Sequence, residues 1–351
     1  MNDLIKVGIL GASGYTGADL VRLLLEHPSV EISMLSAERS AGKMIGEVFP
    51  HLIGYDLPEL VSAHSVDWSK SSLDVVFCAL PHATSQEIIG KIMACENPPK
   101  IIDLSADFRL RDVGTYAKWY GGEHQAVELQ KQAVYGLSEI YRDEIETADL
   151  VACPGCYPTA ALLALIPILQ TGLISPENII IDAKSGVSGA GRSLKEQNLF
   201  VEVSEAMHPY GLGHHRHMPE IEQELSVAAE SDVTISFTPH LVPMNRGELE
   251  TIYVRLNECE IEDIKNCWQQ RYGSDPFIQI LDGFTAPATR MVRGSNRAVM
   301  NIFKDRRAGH AIIVVAIDNL VKGSSGQAIQ NMNIMLGLEE DLGLTQVAMF
   351  P

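Results

Sequence analysis

The sequence predicts an α/β protein of two domains, a doubly wound parallel sheet followed by an α+β domain whose sheet is largely antiparallel. Three observations carry this. The apolar run 4–10 is followed by glycines at 11, 14 and 17 and then by the amphipathic pattern ADLVRLLLEH. Further apolar runs at 30–35, 73–80, 100–104 and 149–152 read as buried strands, with a helical pattern at 85–95 between them. After the turn at 153–156 the rhythm changes, and 178–182, 233–237, 250–256, 298–304 and 311–317 read as strands with fewer helices between them.

The totals bound the class. A chain of 351 residues with 46% hydrophobic content can bury two cores. Its longest apolar runs, 160–169 and 311–317, are too short to cross a bilayer, and no leader pattern opens the sequence, so no membrane partner and a cytoplasmic location are expected. Six scattered cysteines read as reduced thiols, not as a disulfide framework. A net charge of −18 argues against nucleic acid, and an anionic ligand would need locally placed cations.

The first turn, Gly11-Ala-Ser13-Gly14-Tyr15-Thr16-Gly17, stands between a strand and a helix, as a Rossmann-type dinucleotide site requires. Glycines there permit the tight turn and the approach of a pyrophosphate to the helix N-terminus. Gly11, Ser13, Gly14, Tyr15, Thr16 and Gly17 are the expected cradle; the bland alternative is a turn with a glycine packed under a helix. At the end of the second strand an acid would hold the ribose of NAD, but Ser36 stands there with Arg39, Ser40 and Lys43 behind it, which favours the 2′-phosphate of NADP. Pro81-His82-Ala83 and Ser105-Ala106-Asp107 lie just past strand ends, where ligands of such sheets are seated.

The chemistry concentrates at VACPGCYPT, 151–159. Pro154 and Gly155 turn the chain out of a strand and into the apolar segment TAALLALIPIL, which puts Cys156 at a helix N-terminus. Unpaired amides and the helix dipole favour a thiolate there, so Cys156 is the candidate nucleophile. Two other readings compete: a small buried hydrophobe, or a redox or zinc pair with Cys153. No second C-x-x-C exists to complete a four-thiolate site.

Downstream, 184–192 is expected to be a glycine and serine loop able to wrap an oxyanion, ending in the cation Arg192, or else a mobile linker. His208, His214, His215 and His217 then lie within ten residues, opening a helix that runs through Glu222 and Leu225. No H-E-x-x-H pattern is present and Arg216 would crowd a dication, so no metal is expected.

With those pieces in place the chain resembles the N-acetyl-gamma-glutamyl-phosphate reductase family, within the group that includes aspartate-semialdehyde dehydrogenase. Eight motifs in order carry the resemblance: GASGYTGADLVRLL, DLSADFRL, VYGLSEI, CPGCYPTA, SGVSGAGR, HHRHMPEIEQEL, FTPHLVPMNRGELETIYV and DNLVKGSSGQAIQNMN. The resemblance implies an NADP-binding domain at 1–153 completed by 319–351, and a catalytic α+β domain at 154–318 that also builds a homodimer or homotetramer. It implies Cys156 as nucleophile and His217 as acid/base, with His215 second, and a small-molecule acyl phosphate as substrate. Arg192, with Ser188 and Gly189, is the expected grip on an anionic part of that substrate, with Arg109 and Arg216 as further cations, and Asn319 is expected near the nicotinamide. Ser324 and Ser325 depart from the alanine common in the group, and Cys153 from an asparagine. Two rivals stand beside this reading: the same chemistry on another acyl phosphate, and a nucleotide-sensing protein without chemistry.

Overall fold

The computed structural model describes residues 4–350, whose strands form two seven-stranded sheets. The first contains β1 (Ile5–Leu10), β2 (Val30–Ser36), β3 (Leu60–Val61), β4 (Val75–Cys78), β5 (Lys100–Asp103), β6 (Val134–Tyr135) and β7 (Leu150–Ala152). Their order is β3-β2-β1-β4-β5-β7-β6, and every pairing is parallel. All four residues of β4 and three of β5 are buried, which is why these strands read as unbroken apolar runs. The chain leaves β1 toward β2 on one side and pairs it with β4 on the other, so the switch point of this sheet lies at the carboxyl end of β1.

The second sheet contains β8 (Ile180–Gly186), β9 (His208–Pro209), β10 (Ser236–Val242), β11 (Glu248–Arg255), β12 (Ile278–Ile280), β13 (Ala298–Lys304) and β14 (His310–Ile317). They lie in the order β12-β13-β14-β11-β8-β10-β9, with β8–β10 and β12–β13 parallel and the other pairings antiparallel. Three boundaries differ from expectation. β8 continues to Gly186 instead of yielding to a loop at Lys184, because the Gly186 amide still reaches the carbonyl of Gly247 at 2.9 Å. β10 runs from Ser236 to Val242 where 233–237 was expected, and β11 starts at Glu248, two residues early.

The chain separates into two compact units, Met1–Pro154 with Ser324–Thr345 and Gly155–Gly323 with Gln346–Pro351. The return to the first unit thus comes at 324, later than the expected 319, because Asn319 bonds Gly247 and Ser188 and the Gly323 amide bonds the carbonyl of Asp318, all in the second unit. The tail rejoins the second unit where the Met349 amide meets the Arg293 carbonyl at 2.8 Å. Within the first unit, the helix Gly326–Met335 is buried along its whole length. Its amides pay for that burial through hydrogen bonds: Asn331 with Ser138, Gln330 with Glu139, and Asn333 with His27.

The core of the second unit is the helix Cys156–Gln170, in which every residue from Tyr157 to Leu169 is buried. It packs on β11 and β14 and beneath the helices Met218–Ala229 and Ile261–Tyr272. An apolar surface all round is what such a position demands, and each buried leucine or isoleucine contributes about 1.5–3 kcal/mol. Pro167 has no N–H for the carbonyl of Leu163 one turn earlier; the Tyr272 hydroxyl supplies the missing donor at 2.7 Å, and Trp268 Nε1 bonds the next carbonyl, Ala164, at 2.9 Å. A helix so held is a rigid base for the residue at its start.

Candidate active site

That residue is Cys156, the first of the helix, with Gly155 as its cap. Two groups from the start of the helix Met218–Ala229 hold the turn. The Gly155 amide donates to Glu220 Oε1 at 2.9 Å, and the His217 ring meets the edge of Tyr157 with centroids 5.7 Å apart. The approach of another segment is as close: a Cβ on Gly323 would lie 2.6 Å from Cys156 Cβ, so only glycine fits there. Asn319 accepts from the Gly247 amide at 2.8 Å and donates to Ser188 Oγ at 3.0 Å, and a Cβ on Gly189 would face Asn319 Nδ2 at 3.7 Å. Cys156, His217, Asn319, Ser188 and Gly189 are therefore built into one unit.

The electrostatics of the cysteine differ from the sequence expectation. Burial pushes the Cys156 thiol well up and the negative charge of Glu248 adds to it; the Tyr157 amide at the helix start pulls the other way and is outweighed. Glu248 and Glu250 are both fully buried. Burial pushes both carboxyls up, Glu248 to about 8, and Glu248 in turn raises Glu250. His215 sits among the rings of Tyr157, Tyr210, Phe237 and His217. Burial and neighbouring Arg216 lower it to about 4, and its Nδ1 accepts the His217 amide at 3.2 Å, so it is neutral with the proton on Nε2.

In the first unit the glycine turn has the shape of a nucleotide cradle. Gly11 has φ +81°, and a Cβ on it would meet the Ala79 carbonyl oxygen at 2.2 Å; one on Gly17 would meet the Gly11 oxygen at 2.5 Å. Gly14 is different, because a Cβ there meets only the Gly11 oxygen at 3.5 Å, which leaves space over the N-terminus of the helix Tyr15–Leu24. Thr16 Oγ1 lies 3.2 Å from Ser324 Oγ, and the exposed Tyr15 follows Ser13 and Gly14 at the helix start. Ser36 is buried, with its hydroxyl 3.4 Å from the Gly11 amide, while Arg39 is exposed on the next short turn. The acid between them, Glu38, is turned away and held by Ser62 Oγ at 2.6 Å and the Ala63 amide at 2.9 Å. Pro81 lies exposed just beyond β4.

Arg109 is buried in this unit. Its Nε donates to the Cys153 carbonyl at 2.8 Å and a terminal nitrogen to Leu104 at 2.9 Å. Arg192 and Arg216 are exposed in the second unit. Three residues at Cys156 escaped the sequence reading: Glu220, Glu248 and Gly323. Glu248, Glu250, Ile252 and Val254 share the buried face of β11, a period-two signal that a strand begun at 250 cuts short of Glu248.

Comparison with known proteins follows the same division. The semialdehyde dehydrogenase NAD-binding domain matches residues 6–148 and the semialdehyde dehydrogenase dimerisation domain residues 156–319. An N-acetyl-gamma-glutamyl-phosphate reductase of Afipia carboxidovorans is 56% identical over 345 residues, covering 98% of each chain. One of Rhodospirillum rubrum is 54% identical over 357 residues, covering 100% of each, and a probable chloroplastic one of Oryza sativa is 53% identical over 99% of this chain and 83% of that one. Among solved structures, aspartate semialdehyde dehydrogenase II from Vibrio cholerae, complexed with ASA, superposes with a TM-score of 0.71 at 17% identity, covering 96% of this chain and 99% of that one. Aspartate semialdehyde dehydrogenase with NADP from Candida albicans gives 0.70 at 19% identity, over 95% and 99%. The parallel nucleotide sheet, the cysteine helix on a mixed sheet, and identity above one half over nearly the whole length agree: the chain belongs to the semialdehyde dehydrogenase family, in its N-acetyl-gamma-glutamyl-phosphate reductase branch.

Proposed function

We propose that the chain reduces N-acetyl-gamma-glutamyl phosphate with NADPH to N-acetylglutamate 5-semialdehyde and phosphate, a step of arginine biosynthesis, through a thioester on Cys156. The observation that carries this is the clamped turn at Cys156 in a chain 50–56% identical to curated reductases of that name. The Cys156 sulfur attacks the acyl carbon, a C–S bond forms, and phosphate leaves with the electrons of the C–O bond. Bound NADPH supplies the hydride. His217 gives a proton to the oxygen that gains charge and takes it back as the aldehyde is released. His215, neutral down to about pH 4 and with Nδ1 already accepting a backbone amide, suits holding His217 in place. Asn319 and the amides of Ser188 and Gly189 orient the bound groups, and the exposed Arg192 is the cation for the substrate anion, since Arg109 already spends two of its nitrogens on carbonyls.

The cradle of Gly11, Ser13, Gly14, Tyr15, Thr16 and Gly17 fits a pyrophosphate, with Pro81 bordering the same strand ends. Ser36 in place of an acid, the diversion of Glu38 to Ser62 and Ala63, and the exposed Arg39 support NADP over NAD. Thiols at all six cysteine positions suit a reducing cytoplasm, and a homodimer or homotetramer is the form proposed. The test is phosphate-dependent reduction of NADP by N-acetylglutamate semialdehyde, run beside aspartate semialdehyde and beside NAD. N-acetylglutamate semialdehyde with NADP is expected to give the highest kcat/KM, and Arg39→Ala to narrow the cofactor preference. A better rate with aspartate semialdehyde would overturn the substrate, and equal kcat/KM with the two cofactors would overturn the cofactor.

A further inference from the structure

Two segments of the second unit enclose a cavity of about 350 Å³: the turn between β10 and β11, and the short helical turn Thr289–Met291 with Arg293 just beyond it. The segments are clamped together. Gly247 has φ +111°, and a Cβ on it would lie 2.7 Å from Thr289 Cβ, so only glycine lets them meet there. The guanidinium groups of Arg246, Arg290 and Arg293 line the cavity, with the Asn245 amide and the Thr289 hydroxyl as neutral donors beside them. Among the described residues no carboxylate lines it. Arg290 and Arg293 stand three residues apart, both exposed, and among the described residues neither pairs with an acid; Arg290 instead faces the ring of Phe350 at 6.0 Å. Arg246 is half-buried, with a terminal nitrogen 3.7 Å from Asp318. That carboxylate is itself fully buried and accepts the amides of Gly294, Leu320 and Val321 at 2.6, 2.9 and 3.2 Å, so its charge is shared among several donors. A single exposed arginine needs no ligand, but three around one cavity, on a chain of net charge −18, are a local excess of positive charge.

We propose that this cavity binds a phosphate group, free or carried on a small organic molecule, gripped by Arg290 and Arg293 on one segment and Arg246 on the other. Planar guanidinium forks match phosphate oxygens two at a time. A phosphate monoester carries a charge of about −1.5 to −2 at neutral pH, more than a carboxylate does, and so answers more of the positive charge gathered here. The volume suits an organic phosphate, since small-molecule sites begin at about 300 Å³. A nucleic-acid backbone offers the same chemistry but is opposed by the net charge of −18. Arg192, the cation assigned above to the substrate anion, is not among the lining residues, and nothing in this site depends on a thioester at Cys156. The turn that carries Arg246 also supports the loop at 187–190. Its Met244 carbonyl accepts the Val187 amide at 2.9 Å, its Asn245 carbonyl accepts the Ser188 amide at 3.2 Å, and its Gly247 amide donates to Asn319 at 2.8 Å. An anion seated on Arg246 therefore braces the segment that holds Ser188 and Asn319.

Arginine modification by phenylglyoxal, read residue by residue by mass spectrometry on the full-length protein, tests this without substrate or cofactor and without any variant. Inorganic phosphate and phenyl phosphate are the two probes, each compared with chloride and with acetate at equal ionic strength. At about four times its Kd, a probe is expected to slow modification of Arg290 and Arg293 by roughly fivefold. Arg255 and Arg307, exposed elsewhere in the same unit, should react as before. Slowing by inorganic phosphate at least as strong as by phenyl phosphate assigns the free ion as ligand, and stronger slowing by phenyl phosphate assigns the organic form; either supports the site. Calorimetric titration with the better probe should give a Kd raised roughly tenfold in Arg290→Gln and in Arg293→Gln, the size of one lost charge-assisted pair. Both side chains are exposed, so these variants keep the fold. Arg290 and Arg293 reacting as fast in phosphate as in chloride, or acetate protecting them as well as phosphate, would overturn the proposal. So would phosphate binding that is lost in Arg192→Gln and kept in the other two variants.

Discussion

Cys153 and Cys156 lie one turn of chain apart, yet their surroundings give them different chemistry. Cys153 is fully buried at the end of β7, with its sulfur 3.6 Å from the Ser324 carbonyl, while Cys156 is only partly buried and opens a helix. Cys156→Ser is expected to abolish turnover, because a serine hydroxyl at the same site is scarcely ionised. Cys153→Ser should retain activity and lose about 1 kcal/mol of stability, a cost that the nearby carbonyl limits by accepting the hydroxyl. Equal inactivation by the two changes would restore the paired-cysteine reading. The histidines separate in the same way. His217→Asn should lower kcat by roughly 10²-fold or more with cofactor affinity unchanged, and His215→Asn by much less, since a ring held neutral cannot be the acid. Steady-state kinetics with both variants decides, and the reverse order would exchange their roles.

At the scale of elements, the strand–turn–helix units were legible because each combines a period with punctuation: an apolar run, then glycine or proline, then a helical stripe. The turns at Gly11 and at Pro154-Gly155 both emerged where expected. What stayed hidden were elements too short to carry a period, such as β3, β6, β9 and β12, and contacts between segments far apart in sequence. Gly323 is the clearest case. It lies in a π-helical turn, Val321–Ser325, and nothing local to its sequence announces that it faces Cys156. Gly323→Ala would press a methyl to 2.6 Å from Cys156 Cβ and 3.1 Å from its Cα. Either segment must yield, at about 1–3 kcal/mol, and displacing the nucleophile by even an ångström costs about 10² in rate. Thermal unfolding and kcat measured together check this; a variant as fast as the unmodified enzyme would show that the turn relaxes freely.

The molecule as a whole carries a net charge of −18, a total readable from composition, but which of its acids lie inside was not. Composition counts carboxylates without placing them, and only the register of β11 sends two of them inward. Their burial has a consequence for the pH dependence of folding. Glu248 is raised from 4.5 to about 8 by burial, so the folded state holds a proton that the unfolded chain releases above about 4.5. Its contribution is fully present below that value and is lost as pH rises toward 8, by at most about 1.4 kcal/mol for each pH unit. His27, His124 and His215 act in the opposite sense: burial lowers each, so their contribution is present above about 6.5 and is lost as pH falls. The two trends overlap in the unmodified protein but separate in a difference, because the histidines are common to both members of a pair. Glu248→Gln should therefore be no more stable than the unmodified protein at pH 5, and its relative stability should climb steadily toward pH 8. Denaturant titrations of both proteins at several pH values, with Cys156 alkylated in each to remove its own titration, measure that difference. A gap that stays constant with pH would mean that the folded protein and the unfolded chain hold the Glu248 proton equally, and the buried carboxyl would then have to be charged at neutral pH.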